Sequence, residues 1–159
     1  MRQWTAACQL FLIAFAAPLM GALLPGLFHT SIGQSETMTS QEQSTRIVID
    51  GFNNAFNHHD ADALAALLTA DTIFEDTSPP PDGRRLQGRA AVVEFWRGWF
   101  ARNPDARFEA EDIIVSGDRA VVLWTYYKSR AGQPWHLRGV DVFTVRDGKV
   151  AAKLAYVKG

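Results

Sequence analysis

The feature that most constrains the fold is a change in the spacing of apolar residues at Asn103-Pro104. Before this point apolar side chains recur at the spacing of an amphipathic helix, and after it they alternate as in half-buried strands. Helices are predicted at 40–57 and 89–101, with a short helix after Asp60 and a strand at 72–76. Later strands are predicted at 106–115, 119–128, 135–145 and 149–157. Helices followed by a run of strands indicate an α+β domain in which the helices pack on one curved sheet.

Turn residues separate these predicted elements. Ser116-Gly117-Asp118 and Asp147-Gly148 are good hairpin signals, and a loop is expected through 132–134. Residues 78–83 contain three consecutive prolines and must also form a loop, because proline cannot donate a hydrogen bond to a strand ladder.

The first 33 residues differ from the rest and form an apolar leader. Arg2 is the only charge before a long apolar run from Leu10 to Phe28, as in a secretory signal peptide. The run is also long enough for an uncleaved membrane anchor, and a true start at Met38 is the third alternative. A start at Met1 would make the protein secreted, periplasmic or membrane-anchored, whereas a start at Met38 would make it cytoplasmic. The domain is expected at 44–159, after a linker at 34–43.

Composition excludes several classes of function. A net charge of -1 without a run of basic residues argues against a nucleic-acid partner, and membrane contact is expected only through a retained leader. Cys8 is the only cysteine, so an intramolecular disulfide, a thiolate metal site and a cysteine nucleophile are excluded. His58 and His59 are adjacent and cannot chelate one metal as a helical pair would. No metal or cofactor is therefore expected.

Asp141 is the strongest candidate for a functional residue. It lies on a strand face whose other members are apolar or glycine: Trp135, Leu137, Gly139, Phe143 and Val145. Apolar surroundings disfavour the charged form of a carboxyl and raise its pKa, and a neutral buried acid can donate a hydrogen bond. The alternatives are that Asp141 pairs with a nearby arginine or lysine, or that a bulge turns it to solvent.

Asp76 shows a weaker form of the same pattern. It shares a predicted strand face with Thr72 and Phe74 and immediately precedes the proline loop, where a strand end can meet a pocket rim. The alternative is a turn-capping role, in which its carboxylate accepts from the backbone at Thr77-Ser78.

The ordered set of motifs resembles the nuclear transport factor 2-like superfamily, specifically its SnoaL-like and ketosteroid-isomerase-like members. Four segments carry the resemblance, which covers roughly residues 44–157: Phe74-Glu75-Asp76 with the proline loop, Leu86-Gln87-Gly88-Arg89 with Phe95-Trp96, Gly139 to Phe143, and Asp147 to Val150.

The resemblance implies a strongly bent, conical sheet around three helices, a ligand pocket in its open end, and a homodimer. Asp76 matches the proton-shuttling aspartate of ketosteroid isomerases, and Asp141 matches their neutral hydrogen-bond-donating aspartate. The tyrosine of the first helix is replaced by Phe52, which lacks the hydroxyl. The residues expected to line the pocket are Phe52, Phe74, Trp96, Val122, Trp124, Tyr126 and Lys153. A lysine at 153 would favour ionised Asp141.

Two functions follow from this resemblance. The first is an isomerase or cyclase-like enzyme that transfers a proton next to the carbonyl of a small apolar ligand, with Asp76 as general base and Asp141 as donor. The second is a non-catalytic ligand-binding or dimeric interaction domain, which the missing tyrosine fits equally well.

Overall fold

The structure, a computed structural model, describes residues 37–158. The helices are α1 (Ser40–Asn57), α2 (Ala61–Ala66) and α3 (Arg89–Arg102). The strands are β1 (Leu68–Glu75), β2 (Arg85–Gln87), β3 (Arg107–Ser116), β4 (Arg119–Arg130), β5 (Gln133–Arg146) and β6 (Lys149–Val157). None of the helices in this part of the chain is long and apolar enough to cross a bilayer.

Helix α1 begins at a capping box. The Thr39 hydroxyl accepts from the backbone N–H of Glu42, and the Glu42 carboxylate accepts from the Thr39 backbone N–H at 2.9 Å. These hydrogen bonds satisfy donors that every helix start leaves free, and they lower the pKa of the Glu42 carboxyl. Because the cap fixes where the helix starts, α1 turns Ile49, Phe52 and Phe56 into the core.

The six strands form one mixed, unclosed sheet in the order β2-β1-β6-β5-β4-β3. Only β1 and β6 pair in parallel; the other neighbours in this sheet are antiparallel. The helices cover the face that carries Phe74 and Phe143, and the ring of Phe52 packs edge-on against Phe143 at 5.4 Å. The predicted α+β class is confirmed.

The structure corrects three local predictions. Strand β1 begins at Leu68 rather than 72, because Leu68 pairs with Val150 ahead of an irregularity in the β1–β6 ladder. Strand β2 was missed, since three residues are too few to show alternation. The loop expected through 132–134 is a turn at Ala131-Gly132, and Pro134 lies inside β5 near its start, where a proline is tolerated. The predicted leader lies outside the described residues.

Candidate functional site

Strand pairing places three functional side chains on the helix-covered face of the sheet. Ala155 on β6 pairs with Asp141 on β5, while Asp76 directly follows the last residue of β1 on the other side of β6. The two aspartates are thus separated by one intervening strand, or about 10 Å between their backbones at the usual strand spacing. Lys153 lies two residues before Ala155 and faces the same side.

This face encloses a cavity of about 130 Å³. Both aspartates line it, Asp76 as a half-buried residue and Asp141 as a fully buried one. The remaining wall residues are Phe56, Phe74, Thr77, Trp96, Trp99, Phe108, Trp124, Tyr126, Leu137, Lys153 and Ala155. Seven of these eleven are aromatic, so the wall is mostly apolar and the carboxyl groups are its exceptions.

The partner of Asp141 is Lys153. Its Nζ lies 2.7 Å from Asp141 Oδ2, and the two side chains are 10% and 2% exposed respectively. Burial raises the pKa of the Asp141 carboxyl, while the Lys153 ammonium and the nearby Trp124 indole oppose that rise. The alternative in which Asp141 pairs with a lysine is therefore observed, and its role as a neutral donor stays a prediction.

The Lys153 ammonium is surrounded by aromatic faces as well as by Asp141. It lies 5.3 Å from the ring centroid of Phe74, 5.6 Å from that of Phe143 and 6.0 Å from that of Trp96. Such contacts stabilise a cation in a low-dielectric site. They hold the Lys153 amine at the cavity wall.

Gly139 allows the Trp124 ring to lie beside Asp141. A Cβ built on Gly139 would come within 2.4 Å of the Trp124 ring and 2.3 Å of the Tyr156 carbonyl oxygen, closer than real contacts permit. Glycine at this position therefore lets the indole cross the strand next to the carboxyl. This gives a physical reason for the Gly139–Asp141 motif.

Asp76 both caps the turn and lies at the cavity, the two positions that the sequence offered as alternatives. Its Oδ1 accepts a hydrogen bond from the backbone N–H of Thr77 at 2.8 Å, which is the turn-capping contact expected from the sequence. The carboxyl also lines the cavity, and its second oxygen has no hydrogen bond among residues 37–158. Capping one oxygen fixes the orientation of the carboxylate and leaves the other oxygen without a partner among the described residues.

The predicted pocket residues are not all in the same place. Phe74, Trp96, Trp124, Tyr126 and Lys153 line the main cavity. Phe52 instead borders a separate space of about 20 Å³ that also contacts Asp141 and Lys153. Val122 faces the same side as Asp141 and is fully enclosed in the core.

Sequence reasoning missed several wall residues. Phe56 follows Phe52 by four positions and Trp99 follows Trp96 by three, so helical spacing could have placed both on the pocket side. Leu137 shares the alternating face of Asp141, so alternation could have placed it there as well. Phe108 could not be found from local spacing, because its position depends on the pairing of β3 with Tyr126 on β4. Among residues 37–158 no group of three or more His, Cys, Asp or Glu side chains could hold a metal ion.

Known proteins share this architecture. The profile of the SnoaL-like domain family matches residues 49–153. An NTF2-like protein of unknown function from Mesorhizobium loti is 35% identical, with a TM-score of 0.68 over 77% of this chain and 98% of that one. No curated protein matches the chain.

Two more distant structures share the fold at lower identity. A candidate SnoaL-like polyketide cyclase from Jannaschia sp. CCS1 is 16% identical, with a TM-score of 0.68 over 77% of this chain and 91% of that one. A candidate ketosteroid isomerase from Kribbella flavida DSM 17836 is 21% identical, with a TM-score of 0.60 over 75% and 81%. The chain therefore belongs to the SnoaL-like domain family of the nuclear transport factor 2-like superfamily.

Proposed function

We propose that the cavity binds a small, mostly apolar carbonyl compound and that the protein transfers a proton at the carbon next to the carbonyl. Isomerisation and aldol-type cyclisation are reactions of this kind. The observation that carries the proposal is that Asp76 and Asp141 line one aromatic cavity from strands on either side of β6. Distant relatives have names covering several chemistries, so they support the pocket rather than one reaction.

Asp76 is the general base in this proposal. Its carboxylate is fixed by the Thr77 N–H and lines the cavity at the end of β1. It removes a proton from the acidic carbon to leave an enolate. In an isomerisation it returns that proton to another carbon of the ligand, and in an aldol-type cyclisation it returns the proton to the alkoxide oxygen that forms when the enolate carbon attacks the second carbonyl. A base held within hydrogen-bond reach of its proton contributes about two to four orders of magnitude in rate.

The Asp141–Lys153 pair stabilises the enolate oxygen. It presents a hydrogen-bond donor in either protonation state, because the Lys153 ammonium can donate when Asp141 is ionised and the carboxylic acid can donate when Asp141 is protonated. The apolar wall strengthens this interaction by lowering the local dielectric. The pair thereby replaces the tyrosine hydroxyl that is missing at Phe52.

The test is deuterium exchange into cyclohex-2-enone and ethyl acetoacetate in D₂O, followed by proton NMR. Exchange should fall about 100-fold or more in Asp76→Asn and in Asp141→Asn. The matched control is Asp82→Asn, which changes an exposed carboxylate on the proline loop. Exchange rates that stay at the wild-type level in both cavity variants would contradict the mechanism.

The second candidate function is a non-catalytic binding domain. It is favoured by one observation, the close pairing of Asp141 with Lys153, which holds the carboxyl in a contact typical of a structural ion pair. Saturable ketone binding by a wild-type protein that exchanges no protons would establish this alternative.

A further inference from the structure

Four residues of the cavity wall carry a buried polar atom without a hydrogen bond partner. Among the residues that the structure describes, seven buried side-chain atoms are in this condition, and four of them belong to the wall. The four are Trp96 Nε1, Trp124 Nε1, Tyr126 OH and Asp141 Oδ1. Because buried polar atoms are normally satisfied by a partner, their concentration around one cavity indicates a ligand that brings polar atoms of its own.

These groups are spread along the cavity rather than gathered at Asp141. On adjacent strands, Tyr126 pairs with Leu137, Trp124 with Gly139 and Val122 with Asp141, all on the same face. Each step along one face of a strand is about 6.7 Å, so Tyr126 and Asp141 leave the backbone about 13 Å apart. The wall therefore offers two polar positions separated by apolar rings, with the Trp124 indole between them.

Tyr126 acts as a donor at its position. Burial and the nearby Asp105 carboxylate raise the pKa of the Tyr126 hydroxyl to about 12. The phenol consequently keeps its proton at neutral pH. Indole nitrogens also only donate, and the Trp124 indole already lies beside the Asp141 carboxyl. Tyr126 is therefore the donor at the other position that requires an acceptor oxygen from the ligand.

The volume of the cavity limits the ligand to about one ring. An apolar cavity of about 150 Å³ accepts a benzene molecule, and this cavity measures about 130 Å³. The aromatic wall suits a flat or nearly flat ring. A fused polycyclic compound would have to leave most of its rings outside.

We propose that the ligand is a single six-membered ring with oxygen functions at opposite ends, one bound by the Asp141–Lys153 pair beside Trp124 and the other by the Tyr126 hydroxyl. This assignment rests on the proposed use of the cavity as a carbonyl-binding site. To that proposed function the assignment adds the size of the ligand's ring, a second ligand oxygen and the residue that selects for this oxygen. Tyr126 is thus a specificity-determining residue.

The experiment compares cyclohexane-1,4-dione with cyclohexanone, which has a similar ring but a single oxygen. Dissociation constants are measured by tryptophan fluorescence, and the indole N–H resonances are followed in ¹⁵N-labelled protein. The dione should bind about three- to tenfold more tightly than cyclohexanone, as one additional neutral hydrogen bond allows. In Tyr126→Phe the ratio of the two dissociation constants should fall to near one.

The matched control is Tyr127→Phe. Tyr127 is the next residue on β4 and faces the other side of the sheet, where Arg107 Cζ lies 4.4 Å from the centroid of its ring. The Tyr127→Phe variant should keep the full preference for the dione over cyclohexanone. The indole N–H resonances of the wall should shift with either ketone in the wild type, which reports that the ring occupies this cavity without relying on any variant.

Equal affinity for the two ketones in the wild type, or an undiminished preference in Tyr126→Phe, would overturn the inference. Neither readout requires catalysis. A Tyr126-dependent preference in a protein that exchanges no protons would support the ligand class while refuting the proposed enzyme. Proton exchange that depends on Asp76, in a protein that does not prefer the dione, would support the proposed enzyme while refuting the ligand class.

Discussion

Replacing Lys153 by methionine should make folding stability depend strongly on pH. Methionine keeps an unbranched side chain but removes the ammonium 2.7 Å from Asp141, leaving a fully buried carboxyl without its cation. The carboxyl should then be protonated in the folded state, because burial already raises its pKa and the opposing cation is gone. The pKa of this carboxyl in the unfolded chain is about 3.9.

The size of the expected stability loss follows from the difference between the pKa of Asp141 in the folded and unfolded states. Keeping the carboxyl protonated costs about 1.4 kcal/mol for each pH unit above the unfolded pKa. Lys153→Met should therefore be less stable than the wild type by at most about 4 kcal/mol at about pH 7 and at most about 1 to 2 kcal/mol at about pH 5. These are upper limits, because any rise of the Asp141 pKa in the wild type reduces the difference. A raised folded pKa stabilises the fold below the unfolded pKa, and this stabilisation is lost as pH rises through the folded pKa. The difference in unfolding free energy between the wild type and Lys153→Met must consequently increase as the pH rises.

The assay is urea unfolding followed by tryptophan fluorescence across this pH range, with linear extrapolation to water. Lys158→Met is the matched control, because Lys158 is exposed and near the end of the same strand. The double variant Asp141→Asn with Lys153→Met should lose the added pH dependence. A stability loss in Lys153→Met that is equal at low and high pH would refute the electrostatic reasoning and assign the effect to packing.

Three further predictions concern single residues. Gly139→Ala should lower the free energy of unfolding by about 1–3 kcal/mol and shift Trp124 fluorescence, because its Cβ overlaps the indole ring; an unchanged spectrum and stability would contradict the close packing. Thr39→Ala should cost about 1 kcal/mol in urea unfolding through loss of the helix cap, and no loss would show that the cap contributes nothing. Phe52→Tyr places a hydroxyl in the 20 Å³ space beside Asp141, where it should raise the deuterium exchange rate at least about tenfold; a folded variant with the wild-type rate would argue that the enolate oxygen does not bind there.

Local patterns were enough to find the principal acid. The alternation on β5 identified Asp141 as an acid on an apolar face, and the structure places it fully buried there. Helical spacing likewise predicted a helix at 89–101, and α3 lies there, from Arg89 to Arg102. Both signals lie within one element, so the sequence carries them without knowledge of the tertiary fold.

The partner of Asp141 could not be derived from such patterns. Lys153 reaches it from β6, and their proximity depends on the register in which Phe143 pairs with Lys153, beyond an irregularity at Thr144-Val145. The position of Asp76 depends on the parallel pairing of β1 with β6, which joins segments far apart in the chain. Only the family resemblance brought these residues together before the structure did.

Other sequence-based expectations stay predictions. They include the homodimer and the small apolar carbonyl ligand. The signal peptide and membrane anchor belong to the leader, outside the described residues, and the start at Met38 likewise stays a prediction.

The most direct measurement of the central claim is a ¹³C NMR titration of the Asp141 carboxyl in the wild-type protein, with Asp141→Asn used to assign the resonance. The claim is that burial in the aromatic cavity keeps this carboxyl able to hold a proton despite Lys153. We expect a titration midpoint clearly above about 4, the ordinary value for aspartate. A midpoint at or below that value would show that Lys153 keeps Asp141 ionised, and it would contradict the role of Asp141 as a neutral hydrogen-bond donor.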